Sequence, residues 1–184
     1  MNGPKKTPYI IAEAMKKIIP GNDLDRITVS EIIEEADVSR PTFYRYFKDK
    51  YDLVNWYFQK LCDKSFMQMG VSMNLREALT KKFVFLRSEK DFFQAAFACE
   101  SQNSLVEYDY TCIYQFYSNY IRKQGEVELT PEIEFLLKMY CRGSIAMTAD
   151  WAKGGMKEEP EQIVSWLIAA LPPKLHDLFH DLEE

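Results

Sequence analysis

The chain has 184 residues, of which 47% are hydrophobic and 14% aromatic, and its formal net charge at pH 7 is -5. This length provides for one substantial hydrophobic core or two small ones, and the apolar content excludes a disordered chain. No stretch approaches the roughly 20 uncharged apolar residues of a membrane span, and the composition, with only seven glycines and eight prolines, favours an all-α protein. No signal peptide and no membrane contact are expected.

The charge is distributed unevenly along the chain. Residues 1–50 contain nine Lys and Arg against eight Asp and Glu, a net charge of +1, which leaves 14 of the 23 cations and 20 of the 28 acids, a net charge of -6, for the remainder. Total charge governs solubility, whereas a local patch governs docking. The asymmetry indicates a neutral-to-basic head on an acidic body.

The four cysteines are widely spaced within apolar helical patterns and form no metal-binding spacing. They are Cys62, Cys99, Cys112 and Cys141. We therefore expect free thiols in a reducing cytoplasm, and no cofactor.

Helix signals follow one another along the chain and predict about nine helices. The first is an amphipathic pattern over residues 9–19, which ends at Pro20-Gly21. Thr28 and Glu31 form a capping box in front of a second, short helix.

A third helix begins after a turn of three residues. Ser39 is its predicted N-cap, and Pro41 falls in its first turn, where a missing N–H is tolerated. Residues 28–47 therefore form a predicted helix-turn-helix unit.

The remaining helices are longer. Asp49 resembles the N-cap of a fourth helix, and Thr130-Pro131 opens a long one that runs to Trp151. The other predicted helices cover residues 75–86, 92–99 and 105–122, and a last one starts at Pro160.

The third helix separates into two faces. Phe43 and Phe47 are four residues apart and share the face that packs on the preceding helix. The outward positions are Arg40, Thr42, Tyr44, Arg45 and Tyr46. Lys48 and Lys50 follow at the start of the next helix, whose free N–H groups favour anions. Arg suits guanine edges or phosphate, and Thr and Tyr hydroxyls suit phosphate, so this pattern favours DNA binding.

The segment ITVSEIIEEADVSRPTFYRYFKDKYDLV resembles the DNA-binding head of the TetR family of transcriptional regulators. The matching positions are Ala36, Val38-Ser39, the run from Thr42 to Phe47, Lys50 and Leu53. Two positions depart from the family pattern, since Asp37 replaces a usual Gly and Pro41 replaces a small residue.

The resemblance implies roles for individual residues. Thr28, Tyr44 and Lys50 would hold phosphates, while Arg40, Pro41, Thr42 and Arg45 would face base edges. The segments KDKYDLVNWYF and W-x-x-GGM-x-x-x-P, the latter from Trp151 to Pro160, are also similar to TetR-type regulators associated with dihydroxyacetone kinase operons.

The resemblance further implies two domains and a dimer. Residues 1–55 would form the DNA-binding domain, and residues 56–184 a ligand-sensing and dimerisation domain. A homodimer formed through the last two helices would bind a palindromic double-stranded operator. Gly143 and Ser144 would permit a close crossing of helices.

The aromatic-rich middle of the chain offers candidates for an effector pocket, for a small molecule or a protein segment. These candidates are Phe97, Tyr110, Tyr114, Tyr117 and Trp151. The alternative is that these rings belong to the core, as aromatic stripes at helical spacing usually do.

Other functions have weaker support. His176 and His180, with Asp177 and Asp181, have a spacing that can ligate a metal, but a third ligand is missing and a frayed amphipathic helix is the expected structure. No GxSxG, glycine-rich phosphate loop or HExxH is present, so an enzyme is not expected. A helical ligand-sensing or protein-interaction module that does not read DNA remains the alternative function.

Overall fold

In the computed structural model, residues 6–99, 101, 104–123 and 128–183 are described, and they form eleven α-helices and no β-strand. The first five residues of the predicted head lie outside this part of the chain. The helices are α1 (Thr7–Ile18), α2 (Val29–Glu35), α3 (Arg40–Tyr46), α4 (Lys50–Cys62), α5 (Leu75–Ser88), α6 (Lys90–Ala98), α7 (Leu105–Lys123), α8 (Pro131–Lys153), α9 (Pro160–Ala169), α10 (Pro173–Leu178) and α11 (His180–Glu183). A short 3-10 helix, Phe66–Gln68, lies between α4 and α5.

The prediction of an all-α fold is confirmed, and nine of the described helices have seven or more residues. No helix in the described part of the chain combines the length and apolarity that crossing a membrane requires.

The prediction of a frayed C-terminal end is wrong. Leu175, Phe179 and Leu182 in α10, α11 and the turn between them are fully buried. The Phe179 ring stacks on Tyr117 of α7 with 4.6 Å between ring centroids. Three apolar side chains at helical spacing therefore hold this segment against the body.

Helix starts follow the predicted caps. The side chains of Thr28, Ser39, Asp49 and Thr130 each accept a hydrogen bond from the third residue of the following helix. Asn74 does the same for α5 and completes a second capping box with Glu77. These bonds satisfy backbone N–H groups that have no partner inside the helix, so local sequence sets these helix starts.

One hydrophobic core extends from Ile11 in α1 to Leu182 in α11. In the body, α8 packs against α6 and α7, and α9 packs against α5. Helix α4 is continuous across the predicted domain boundary at residue 55, so head and body share a helix. Glu89, the residue between α5 and α6, pairs with Lys16 of α1 at 2.7 Å. The Tyr57 hydroxyl of α4 donates to the same carboxylate at 3.2 Å.

Candidate nucleic-acid interface

The turn between α2 and α3 is set by a left-handed residue. The Val38 N–H bonds to the carbonyl of Ile33 at 3.1 Å, and the Asp37 N–H bonds to that of Glu34 at 3.2 Å. This pair of bonds is a Schellman motif, which requires positive φ at the residue after the C-cap. Asp37 has a φ of 50°. Asp tolerates this region better than most residues, which explains why it can stand where the family resemblance leads us to expect Gly.

Two rings fix α3 to the head. Phe43 is fully buried and Phe47 is 2% exposed, with 5.7 Å between their ring centroids. Phe47 also contacts Trp56 of α4 at 5.5 Å. Burying two phenylalanines stabilises the unit by several kcal/mol, at about 1.5–3 kcal/mol for each ring. The predicted inward face of α3 is therefore present in the structure.

The opposite face of α3 and the turn after it are open to solvent. Tyr44 is 49% exposed and Tyr46 is 40% exposed, which shows that these two rings are not part of the core. Arg45 lies over the Tyr46 ring, with 5.0 Å from the guanidinium carbon to the ring centroid. Lys48 is also exposed. The result is a surface that carries rings, hydroxyls and cations together.

Arg40 is held by a residue that the sequence did not single out. Its guanidinium donates to the Ser30 hydroxyl of α2 at 2.7 Å. This bond orients Arg40 along the outer side of the unit, next to the exposed Pro41. A hydroxyl ten residues away gives no local signal, so only the fold could identify Ser30.

Thr28 and Ser39 use their hydroxyls as helix caps, and the Thr42 hydroxyl bonds that of Ser39. The Thr28 hydroxyl donates to Glu31 at 2.7 Å and accepts the Glu31 N–H, and the bonds from Thr28 lower the pKa of the Glu31 carboxyl. The Ser39 and Thr42 hydroxyls are 2.8 Å apart, and Ser39 accepts the Thr42 N–H. These groups preorganise the two helix N-termini.

Lys50, a predicted contact residue, bonds to the loop before α2. Its ammonium donates to the backbone carbonyls of Asp25 and Ile27, each at 2.7 Å. It lies 5.2 Å from the centroid of the Tyr51 ring, and the residue is only half exposed. Lys50 thus differs from Arg45 and Lys48, which are exposed.

The five residues predicted for an effector pocket lie in different surroundings in the described part of the chain. Phe97 is buried in the core, while Tyr110 and Tyr114 stack on the outer side of α7, with the Arg142 guanidinium 3.6 Å from the centre of Tyr110. Tyr117 lines a small internal cavity of about 20 Å³. Trp151 lines a groove of about 520 Å³ between α8 and α9. The tyrosines of α7 therefore lie in different environments, with Tyr110 and Tyr114 on its outer side and Tyr117 in the interior.

A buried ion pair in the body is the polar feature that sequence reasoning missed. The Lys82 ammonium lies 2.8 Å from both carboxylate oxygens of Asp109, and the two residues are 3% and 0% exposed. Burial raises the pKa of the Asp109 carboxyl despite the nearby ammonium. Lys82 lies within the apolar pattern of α5, and this position is the only sequence signal of its burial.

A helix-turn-helix unit with open cations and tyrosines on its second helix, carried by an all-helical body, defines a DNA-binding regulator. The model described as "Bacterial regulatory proteins, tetR family" matches residues 11–56, and the model described as "Transcriptional regulator C-terminal region" matches residues 73–171. The chain belongs to the TetR family of transcriptional regulators and is not an enzyme.

One relative is similar in sequence to a segment of the chain. The HTH-type dhaKLM operon transcriptional activator DhaS of Lactococcus lactis subsp. lactis (strain IL1403) is 40% identical over 53 residues, which cover 29% of this chain and 28% of that protein.

Solved structures of similar fold cover nearly the whole chain. The dihydroxyacetone kinase operon activator DhaS matches with a TM-score of 0.64 and 20% identity over 97% of this chain and 98% of that one. FadR from Bacillus subtilis, solved in complex with stearoyl-CoA, matches with a TM-score of 0.58 and 18% identity over 94% and 98%. At these identities the two structures show that the fold is shared.

Proposed function

We propose that this regulator binds a palindromic operator as a homodimer, with residues 1–55 reading DNA and residues 56–184 sensing an effector and forming the dimer. The observation that carries the proposal is the two-sided α3, in which buried Phe43 and Phe47 fix the helix and Tyr44, Arg45 and Tyr46 stay open. A recognition helix needs both properties, since it must keep its pose while its outer side chains enter the major groove.

The open side chains divide by chemistry. Arg40 and Arg45 can each donate two hydrogen bonds at once to a guanine edge, and Pro41 and Thr42 lie beside Arg40 in the first turn of α3. The Tyr44 and Tyr46 hydroxyls and the Lys48 ammonium suit phosphate oxygens, which fix register without reading sequence. Thr28 and Ser39 are the N-caps of α2 and α3, and a helix N-terminus favours a phosphate nearby.

The dimer is supported by the outer faces of α8 and α9. Phe135, Met139, Met147 and Trp166 are 66%, 53%, 57% and 54% exposed, and the three on α8 recur at intervals of four or eight residues. An apolar stripe this broad normally marks an interface. Gly143 lies on the same helix with open space around it, whereas Ser144 turns inward and bonds the Cys141 carbonyl at 3.0 Å. A second copy can therefore approach α8 closely at Gly143.

The effector would act on the body and alter the separation of the two heads. Two heads reach successive major grooves only when their spacing is about 34–36 Å, so a change in spacing changes operator affinity. The structurally similar DhaS is named as an activator of a dihydroxyacetone kinase operon. We extend this to a role for the present chain in controlling a dihydroxyacetone kinase operon, through a small-molecule or protein effector.

Selection of duplexes from random-sequence DNA tests the proposal. We expect an enriched palindrome with two half-sites, and a stoichiometry of one dimer per site by light scattering. Substituting Arg45→Ala should relax sequence preference at one position of each half-site, at a cost of about 1–3 kcal/mol. Failure to enrich any sequence would favour the alternative of a helical sensing module that does not read DNA.

A further inference from the structure

We propose that Ser30 is a positioning residue of the DNA-binding head, which orients the Arg40 guanidinium toward one base pair of each half-site. This inference rests on the proposed reading of DNA by α3. It adds to the recognition helix a specificity-determining residue from α2, whose effect on base preference passes through Arg40.

The evidence is a hydrogen bond between the first turns of two helices. Arg40 Nη2 donates to Ser30 Oγ at 2.7 Å. Arg40 is the first residue of α3, and Ser30 is the second residue of α2. Among the residues that the structure describes, the Arg40 guanidinium has no other hydrogen-bond partner and no carboxylate within ion-pair distance. Ser30 is therefore the group that selects among the rotamers of Arg40.

The backbone that carries the two side chains is itself fixed. Thr28 caps α2 and Ser39 caps α3, each by accepting a backbone N–H of the first turn. Pro41, whose ring fixes φ, follows Arg40 in the chain. The freedom that remains at this end of α3 lies in the long arginine side chain, and the bond to Ser30 restricts it.

The orientation of Arg40 matters because the N-terminal residues of a recognition helix contact base edges. An arginine binds both acceptors of a guanine only when its guanidinium matches the base edge. Immobilising such a side chain on binding weakens affinity by about two- to tenfold, and prior restriction reduces this loss. A guanidinium has five N–H donors, so the bond to Ser30 leaves four for DNA. Arg40 can therefore keep its contact with Ser30 while it binds a base.

Arg45 is oriented differently, by a neighbour on its own helix. Its guanidinium carbon lies 5.0 Å from the centroid of the Tyr46 ring, and its Nη2 is 3.5 Å from the Tyr46 hydroxyl. Neither contact involves α2. A change at Ser30 should therefore alter the base preference that depends on Arg40 and leave the preference that depends on Arg45.

A double-mutant cycle tests the inference. The proteins are the unsubstituted chain, Ser30→Ala, Arg40→Ala and the double variant. Their affinities are measured by fluorescence anisotropy at one salt concentration, on a duplex selected from random-sequence DNA and on duplexes with single base pairs replaced. We expect Ser30→Ala to reduce preference about two- to tenfold at the base pair where Arg40→Ala also reduces it. In the Arg40→Ala background, Ser30→Ala should have no effect, whereas in the Arg45→Ala background its effect should persist.

Two control variants separate positioning from a loss of structure. Ser30→Thr keeps the hydroxyl and should keep the base preference. Ser88→Ala removes an exposed serine from α5, outside the head, and should bind as the unsubstituted protein does. Ala has a higher helix propensity than Ser, so Ser30→Ala should fold.

Nitrogen-15 relaxation of the Arg40 side chain tests the contact in the free protein, without DNA. The order parameter of Arg40 Nε should fall in Ser30→Ala and should be retained in Ser30→Thr, while that of Arg45 should not change. This readout would not respond to a serine that merely occupies a helix surface.

Three results overturn the inference. One is a Ser30→Ala variant with unchanged base preference. Another is an equal effect of Ser30→Ala with and without Arg40, which would give Ser30 an independent role. The third is an increased preference in Ser30→Ala, which would show that Ser30 holds Arg40 away from the bases. If the unsubstituted protein selects no sequence, the proposed function fails together with base reading by Arg40, and the relaxation measurement shows separately whether Ser30 orients that side chain.

Discussion

Removal of Lys82 is expected to expose the cost of an uncompensated buried charge. Asp109 is 0% exposed and has its two oxygens 2.8 Å from the Lys82 ammonium. Breaking such a pair by removing one partner typically costs about 3–5 kcal/mol, because the other charge stays buried. Replacing both partners by apolar side chains is often neutral or stabilising. We therefore expect Lys82→Met to be severe and Lys82→Met with Asp109→Leu to recover most of the loss.

The measurement is urea denaturation at a fixed protein concentration, since unfolding of a dimer depends on concentration. With a slope m of about 2 kcal/mol/M, the midpoint of Lys82→Met should fall by roughly 1.5–2.5 M. Lys174→Met is the matched control. Lys174 pairs with Glu132 at 2.6 Å, but the two side chains are 57% and 64% exposed, so the loss should be below about 1 kcal/mol.

The defect of Lys82→Met should also depend on pH. Burial raises the pKa of Asp109 in the folded protein, and loss of the ammonium raises it further. When the pKa of a carboxyl is higher in the folded than in the unfolded protein, protonation favours the folded state. This contribution to stability is complete below the unfolded pKa of about 3.9 and is lost as pH rises through the folded pKa. The difference from the unsubstituted protein should therefore shrink as pH falls from 7 toward 5. A loss below about 1 kcal/mol at pH 7, or a double variant no better than the single one, would refute the reasoning.

Three further outcomes follow from the head and the dimer face. Phe43→Ala should reduce the free energy of unfolding by about 3–5 kcal/mol, measured by urea denaturation, because Phe43 is fully buried. Asp37→Gly should leave stability unchanged or raise the melting temperature by an amount equivalent to less than about 1 kcal/mol, since φ at this turn is 50°. Phe135→Asp should convert the protein to a monomer in light scattering, while Val84→Asp, at an exposed apolar position of α5, should not; a dimer that survives Phe135→Asp would contradict the proposed interface.

The sequence predicts features that depend on neighbouring residues. The capping box of Thr28 and Glu31, the N-caps Ser39 and Asp49, and the pair Phe43 and Phe47 each involve residues at most four positions apart. Helical geometry alone brings such residues together, so their spacing suffices to predict the helix-turn-helix. The outward side of α3 follows from the same reasoning.

The remaining features depend on contacts between distant residues. Lys50 meets the carbonyl of Asp25 across 25 positions, and Lys82 meets Asp109 across 27. No periodicity specifies these partners, and an isolated lysine in a sequence is most simply interpreted as a surface cation. Periodicity also does not specify a pocket, because Tyr114 and Tyr117 are three positions apart on α7, yet one is half-buried and the other is fully buried.

Residues at both ends of helix α6 contact the helices and the loop of the head. Glu89, the residue before α6, binds Lys16 of α1 at 2.7 Å and accepts from Tyr57 of α4. Cys99, the residue after it, binds Asp25 in the loop before α2 at 3.2 Å. The helix has nine residues and a length of about 13 Å, so a rigid segment joins two separate points of the head. Because α6 also packs against α8, which carries the proposed dimer face, a displacement of α8 that moves α6 must shift both attachments together. The proposed recognition helix α3 is thus linked to the proposed dimer face through packed helices and three polar contacts at the two ends of α6.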